Sequence, residues 1–448
     1  MILLASCHHY LDVKPKGKII PETAEDFSTI IHYGLDQIEK GRDDVIIPNP
    51  EVMTTLEMFA DDLNATLASN FGYTSIYVGS AINKNQATYK TLYSVIKDCN
   101  MVIGNMDDTE SDLARTLLGT AWSIRSICYY NLMQRYCEPY QPETAKETLG
   151  LPLVDDFDME AKPARANLKE TAEFIEEGFR KALSYNVSNE DFIFTSSVTK
   201  AYFARFFFWT QNWSNAITYA KEVLEKYPML EADEYVEAIN QKQAKAHNVI
   251  IRSFTMDDDI GTMSYATAQA DIKSRPVDRN LVDLFAATDN DVRRRCNYDS
   301  KRIVNKIITT KFRSEELCLI IAEAHAHLNQ ETDALGYLNQ LRSKRITQNY
   351  IAYTIDNLPE VFQQNIKTDA TGIPLTKLMS AILCERRKEL FVEGDRWFEL
   401  KRNGRPEFWV AAKGKKFITE KYLYTFPIPK ADIRLFPDLL IQNPGYIE

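Results

Sequence analysis

The sequence predicts a mainly α-helical protein, and three observations carry the prediction. Glycine is scarce, 16 residues in 448, about half the usual ~7% share; doubly wound nucleotide-binding folds and all-β barrels need many glycine turns. Apolar residues recur at helical spacing in paired runs joined by tight turns. Hydrophobic residues at 45% and charged residues at 26% describe an ordinary globular chain with a large core, which disfavours disordered, collagen-like and coiled-coil readings.

Along the chain, Leu11 to Ile20 reads as extended, broken by Pro15 and Gly17. A helix is expected to start near Pro21-Glu22-Thr23. A polar connection with Pro48 and Pro50 follows, then a loop-like region from Asp61 to Lys84. From Ala87, the apolar series Leu92, Val95, Ile96, Cys99 and Ile103 predicts one helix. Leu113, Leu117, Leu118, Ala121, Ile124, Cys128 and Leu132 predict a second over Ser111 to Tyr136. Pro139 and Pro142 end this hairpin.

The paired pattern returns over 196–227, with Gln211-Asn212-Trp213 as its turn, and over 314–345, with Asn329-Gln330 as its turn. A last pair is expected over 376–403. Small alanines near each turn resemble tetratricopeptide (TPR) units, whose period is ~34 residues. Here the units are separated by inserted segments 137–195, 229–313 and 346–375, where irregular structure is expected. Length alone suggests about three domains at ~150 residues each. The scattered pairs point instead to one interwoven domain over 8–448, after a leader remnant at 1–7.

Charge narrows the function. Lys+Arg 53 against Asp+Glu 63 gives −10, which argues against nucleic acid as a partner. The local basic runs Arg293-Arg294-Arg295 and Lys413 to Lys416 read as solvated faces. Seven cysteines show no C-x-x-C spacing, so zinc-ribbon and thioredoxin-like readings fail. Cys7 closes the apolar run Ile2-Leu3-Leu4-Ala5-Ser6, which resembles a lipoprotein lipobox with Cys7 as the lipidated residue. Only six residues precede it and none is basic, which predicts a start upstream of Met1 or a trimmed chain. No stretch reaches the ~18 apolar residues needed to span a membrane.

The stretch Ala381 to Gly404, AILCERRKELFVEGDRWFELKRNG, is the densest motif. Ile382, Leu383, Leu390 and Phe391 predict an amphipathic helix, with Arg386 and Glu389 able to pair across one turn. Gly394 is expected to end it in the left-handed region, and Asp395 to cap a second piece anchored by Trp397. Glu385, Arg386, Arg387 and Glu389 invite an active-site reading; a structural ion-pair network is the stronger expectation. The C-terminus carries Phe426-Pro427-Ile428-Pro429 and Gln442-Asn443-Pro444-Gly445-Tyr446, an extended strip and a turn.

Together these stretches resemble the SusD/RagB family of outer-membrane nutrient-binding lipoproteins. The resemblance rests on Cys7 followed by Tyr10-Leu11-Asp12-Val13, on the block at 385–402 including Arg396 and Trp397, and on the closing F-P-I-P…Q-N-P-G-Y. Asp432 stands where glutamate is expected, and Phe436-Pro437-Asp438-Leu439 departs from the family's usual Asn-Pro start. The resemblance implies a SusD-like fold, with four TPR-like helix pairs packed against an irregular, loop-rich ligand-binding half with a few short strands. It implies a lipid-anchored protein on the outer face of the outer membrane. Such a protein binds oligosaccharide and delivers it to a SusC-like TonB-dependent β-barrel transporter, with no cofactor and no catalysis.

The family's ligand residues lie in variable segments, so the candidates come from residue chemistry. Sugar rings stack on flat aromatic faces, and polar groups take the hydroxyls. Tyr 23, Phe 22 and Trp 5 supply ample choice. Phe71, Tyr73 and Tyr77 form a glycine-containing aromatic loop; Tyr265, Asp258 and Gln269 lie in the large insertion. Asp257-Asp258-Asp259 lacks the alternating ligands of an EF-hand, so no metal is expected. Trp209 and Trp213 read as core. The alternative function is a helical adaptor for protein or peptide, since TPR grooves bind peptides. A hydrolase is disfavoured: no G-x-S-x-G, H-E-x-x-H or P-loop is present, although a carboxylate pair needs no local motif.

Overall fold

The computed structural model describes residues 21, 23–40, 42, 46–68, 87–156, 162–241, 246–253, 259–286, 290–308, 311–412 and 415–446. Helix α1, Ala24–Glu39, starts where expected because Thr23 and Asp26 form a reciprocal capping box. It buries Phe27, Ile31, Leu35 and Ile38. Helix α2, Pro50–Phe59, is capped by Asn49 with Pro50 in its first turn. Helices α3, Ala87–Asn105, and α4, Asp112–Tyr136, pack as the first predicted hairpin, and the Ser111 side chain caps α4. Strands β1, Leu149–Pro152, and β2, Arg165–Asn167, pair antiparallel.

Helix α5, Leu168–Ser184, then lies along α4. Irregular structure was the expectation for 137–195, and α5 corrects it. The missed signal is local: an Asn167/Glu170 capping box, followed by buried Leu168, Ala172, Ile175, Phe179 and Ala182 at helical spacing.

The second predicted pair is α6, Ser196–Trp209, with α7, Trp213–Lys226. The short helix α8, Ala232–Ile239, strand β3, Val249–Arg252, helix α9, Asp259–Lys273, and helix α10, Val292–Asn297, follow, and these helices likewise correct the irregular structure expected for 229–313. Strand β4, Lys311–Arg313, pairs antiparallel with β3 and leads into the third pair, α11, Ser314–His327, with α12, Glu331–Ser343. Helix α7 packs on α11, so the second and third pairs stack. Their turns match: Gln211 and Asn329 both adopt positive φ, at 62° and 57°. Among the described residues, nine non-glycine positions have positive φ against four glycines. The chain therefore turns largely on asparagine, glutamine and other side-chain-bearing residues, which accounts for its low glycine content.

Helices α13, Lys377–Glu389, and α14, Arg396–Arg402, occupy the fourth expected pair. Here α13 packs on α11 and α12, whereas α14 packs on α2. The turn between them redirects the chain through positive φ at Val392 and Gly394, at 57° and 80°. A hairpin of β5, Phe408–Ala412, and β6, Lys415–Thr419, follows, with Trp409 opposite Ile418 and Ala411 opposite Lys416. The main core runs through α1, α3 to α7, α11, α13 and α14.

Candidate functional site

The charged run of α13 is buried on every side, so successive residues, about 100° apart around a helix, enter three different ion clusters. The largest holds six cations, Arg293, Lys306, Arg313, Arg342, Arg345 and Lys388, and five anions, Asp291, Glu315, Glu385, Glu389 and Glu393. None of these side chains is more than 8% exposed. Glu389 sits at its centre. It accepts from Arg345 Nε at 3.0 Å and Nη2 at 3.1 Å, from Arg313 Nη1 at 3.0 Å and from Arg293 Nη1 at 3.3 Å. Burial alone would raise its carboxyl, but the three guanidiniums outweigh burial and hold it well below the usual range.

The second cluster joins Arg387 to Asp62 at 2.6 Å, and Arg396 to Asp61 at 2.7 Å and Glu399 at 2.6 Å. Trp397, 1% exposed, stacks on Tyr424 beside it. The third joins Arg386 to Asp395 through two bonds of 2.9 and 2.5 Å, with Glu316 gripping Arg205. Two local expectations are thereby corrected. Arg386 and Glu389 do not pair across a turn, because Arg386 reaches Asp395 beyond the helix end and Glu389 takes guanidiniums from other elements. Asp395 makes no side-chain cap, because Arg386 takes both its oxygens.

The third cluster, with Glu393, Glu399 and Arg402, lines a partly open cavity of about 120 Å³, walled by Tyr130, Tyr202, Phe208, Trp209, Phe312 and Phe398. The Arg205 guanidinium lies 3.3 Å from the Phe312 ring centroid and Arg402 lies 4.1 Å from that of Phe208. Arg205, Arg386 and Arg402 each face a carboxylate. Lys311 lines the same space, 6% exposed, and burial pulls its ammonium down to about 8.

The two terminal motifs converge on the C-terminal end of α4. The Lys401 ammonium donates to the carbonyls of Gln134 and Cys137, both at 2.7 Å, and Arg135 at 3.4 Å. Asn443 donates to the carbonyls of Tyr136 at 2.8 Å and Phe426 at 2.7 Å, and the Phe426 N–H donates to Arg135 O at 2.8 Å. Lys401 and Asn443 thus satisfy carbonyls that a helix end leaves free.

Of the ligand-binding candidates, Phe71, Tyr73, Tyr77 and Asp258 lie outside the described residues, as does Cys7. Tyr265 and Gln269 are brought together on α9. The Tyr265 hydroxyl donates to Gln269 Oε1 at 2.9 Å, and Gln269 Oε1 also accepts from the Ile308 N–H at 3.4 Å. The Tyr265 ring is only 8% exposed, so the pair braces α9 against 306–308. Trp209 is buried, as expected; Trp213 is half-buried and stacks on His327 at 4.1 Å. Sequence reasoning missed Trp409, which is 58% exposed on β5. Apolar strands flanking a Lys-Gly turn signal the hairpin, but the face of Trp409, shared with Ala411, Lys416 and Ile418, is no more polar than the other.

A profile of the SusD family matches residues 296–446, which include α13, α14 and both closing motifs. A second profile, described as starch-binding and associating with the outer membrane, matches residues 9–208. The chain belongs to the SusD/RagB family. No curated protein matches it. Among solved structures, a SusD superfamily protein from Bacteroides vulgatus shares 18% identity over 95% of this chain and 100% of its own, with a TM-score of 0.72. A SusD-like carbohydrate binding protein from the same species shares 19% over 93% and 97%, TM-score 0.67. The surface glycan-binding protein A of Bacteroides fluxus shares 16% over 95% and 100%, TM-score 0.65. These likenesses establish a SusD fold, mainly helical with a few short strands.

Proposed function

We propose that this SusD-family protein is a glycan-binding surface lipoprotein. It captures oligosaccharide outside the cell and passes it to a SusC-like TonB-dependent β-barrel transporter, without catalysing any reaction. The observation that carries the reading is the pair of family profiles, one of them described as starch-binding and associating with the outer membrane. Among the described residues, no helix is long and apolar enough to cross a membrane. Attachment then falls to a lipid on Cys7, and two or more acyl chains suffice for stable anchoring.

Titration with a panel of oligosaccharides tests the binding, and co-purification from outer membranes tests the barrel partner. Binding of no glycan class would overturn the reading. Of the sequence candidates, Tyr265 and Gln269 are testable in the described structure. Lowered glycan affinity in Tyr265→Ala would place that tyrosine at the site, and unchanged affinity would leave it a packing residue.

A further inference from the structure

The β5–β6 hairpin carries a basic run that the family reading leaves without a role. Trp409 and Ile418 face each other across the strands, 58% and 50% exposed, and Lys416 lies two positions along the same face. The Lys416 ammonium sits 5.1 Å from the Trp409 ring centroid. No carboxylate of the described residues reaches Lys416 within salt-bridge distance. Segment Ala65–Leu67 packs beside β5 and adds Leu67, 53% exposed. The hairpin sequence 408–419 holds three lysines, Lys413, Lys415 and Lys416, and no acidic residue, in a chain of net charge −10.

We propose that this face is a subsite for an acidic glycan, a chain containing uronic acid residues; the inference rests on the glycan-binding reading above and specifies its ligand class. The C–H face of a pyranose ring covers the indole of Trp409, with Ile418 extending the apolar floor. The sugar carboxylate meets Lys416, whose ammonium lies 5.1 Å from the indole centroid and so within reach of a charge carried by a ring stacked there. A bilayer is the less suitable occupant. A charged membrane is a plane that meets the whole acidic protein, whereas a single polysaccharide strand meets the hairpin alone, and beyond ~8 Å the rest of the charge is screened.

The test titrates the full chain with oligogalacturonate, with a neutral glucan oligomer of equal length, and with phosphatidylglycerol vesicles. Trp409→Ala and Lys416→Gln are compared with the parent; both side chains are exposed, so both variants are expected to fold. Oligogalacturonate should bind more tightly than the neutral oligomer. Trp409→Ala should weaken it about tenfold, in line with ~1.4 kcal/mol per decade and the upper range for aromatic contacts. Lys416→Gln should weaken it several-fold and reduce its salt dependence. Equal acidic-glycan affinity in all three proteins overturns the subsite. So does Trp409-dependent binding of vesicles without acidic glycan, or tighter binding of the neutral oligomer. Neutral glycan bound equally by parent and variants, with no acidic glycan bound, removes this inference and leaves the glycan reading intact; failure of every glycan removes both.

Discussion

Replacing Glu389 with glutamine tests whether the buried lattice around α13 is held by charge. The substitution keeps the side chain's size, so packing is unchanged. It removes one of five anions facing six cations, and it does so where Arg293, Arg313 and Arg345 all converge. Losing one partner from a buried ion pair costs about 3–5 kcal/mol, because the remaining charges stay desolvated. Unfolding entropy near 60 °C is about 2.1 cal/mol/K per residue; over 448 residues that is about 0.9 kcal/mol/K. A loss of about 4 kcal/mol therefore lowers Tm by only about 4 °C, so the sharper assay is the guanidinium chloride midpoint with the parent slope. Because the guanidiniums hold the Glu389 carboxyl below its unfolded value, its contribution is present above the unfolded pKa and is lost as pH falls through the folded one. The deficit of the variant should thus be full at pH 7 and shrink in strong acid. A midpoint within about 1 kcal/mol of the parent at pH 7 would refute the argument, since that is what an ordinary substitution costs.

Glu57 should behave in the opposite sense. Burial, with the charge of Asp62 adding, pushes its carboxyl up to about 8. Its stabilisation is therefore present at low pH and lost as pH rises from the unfolded value through about 8. Glu57→Gln should match the parent near pH 5 and melt higher at pH 9, as read by thermal scans at both values; a variant less stable at pH 9 would contradict this. Gly445→Ala should cost 2 kcal/mol or more, on the order of a strained core substitution, because φ is +91° and a Cβ would lie 2.4 Å from Tyr422. Urea midpoints measure it, and no loss would count against the packed C-terminal turn. Lys401→Met takes the ammonium from the Gln134 and Cys137 carbonyls, while Arg135 O keeps the Phe426 N–H, and should cost about 2–3 kcal/mol. Hydrogen exchange should show faster opening at that end of α4 than elsewhere in the helix, and uniform exchange would refute it.

The helix pairs were legible because each carries its own periodicity and stop signal: the start of α4 at Ser111 and the turns at Gln211 and Asn329 all fall where the apolar pattern breaks. The fourth pair was legible as two helices but not in its packing. Nothing local in Ala381 to Gly404 states that α14 turns away to α2. The partners of Arg386 and Glu389 were hidden for the same reason. They come from Asp395 across a turn, and from β4, α10 and the end of α12, which only the tertiary fold brings near. Helix α5 was readable and was missed, through its Asn167/Glu170 box. The site was the least legible part. Trp409 sits in an alternating strand, but alternation alone does not say which face a short hairpin turns outward.

The α4 helix ends at residue 136, yet the groups that close that end come from Lys401, Phe426 and Asn443. The ion lattice has the same reach, joining Asp61 and Asp62 to Arg387 and Arg396 across more than three hundred positions. Contacts of that span are slow to form, since long loops must close before they are rewarded. A ribosome that stops short of Lys401, or a protease that trims the last fifty residues, therefore releases a chain with uncapped carbonyls and unmatched buried charges. The end of α4 is therefore completed only when the segment from Lys401 to Asn443 has folded onto it.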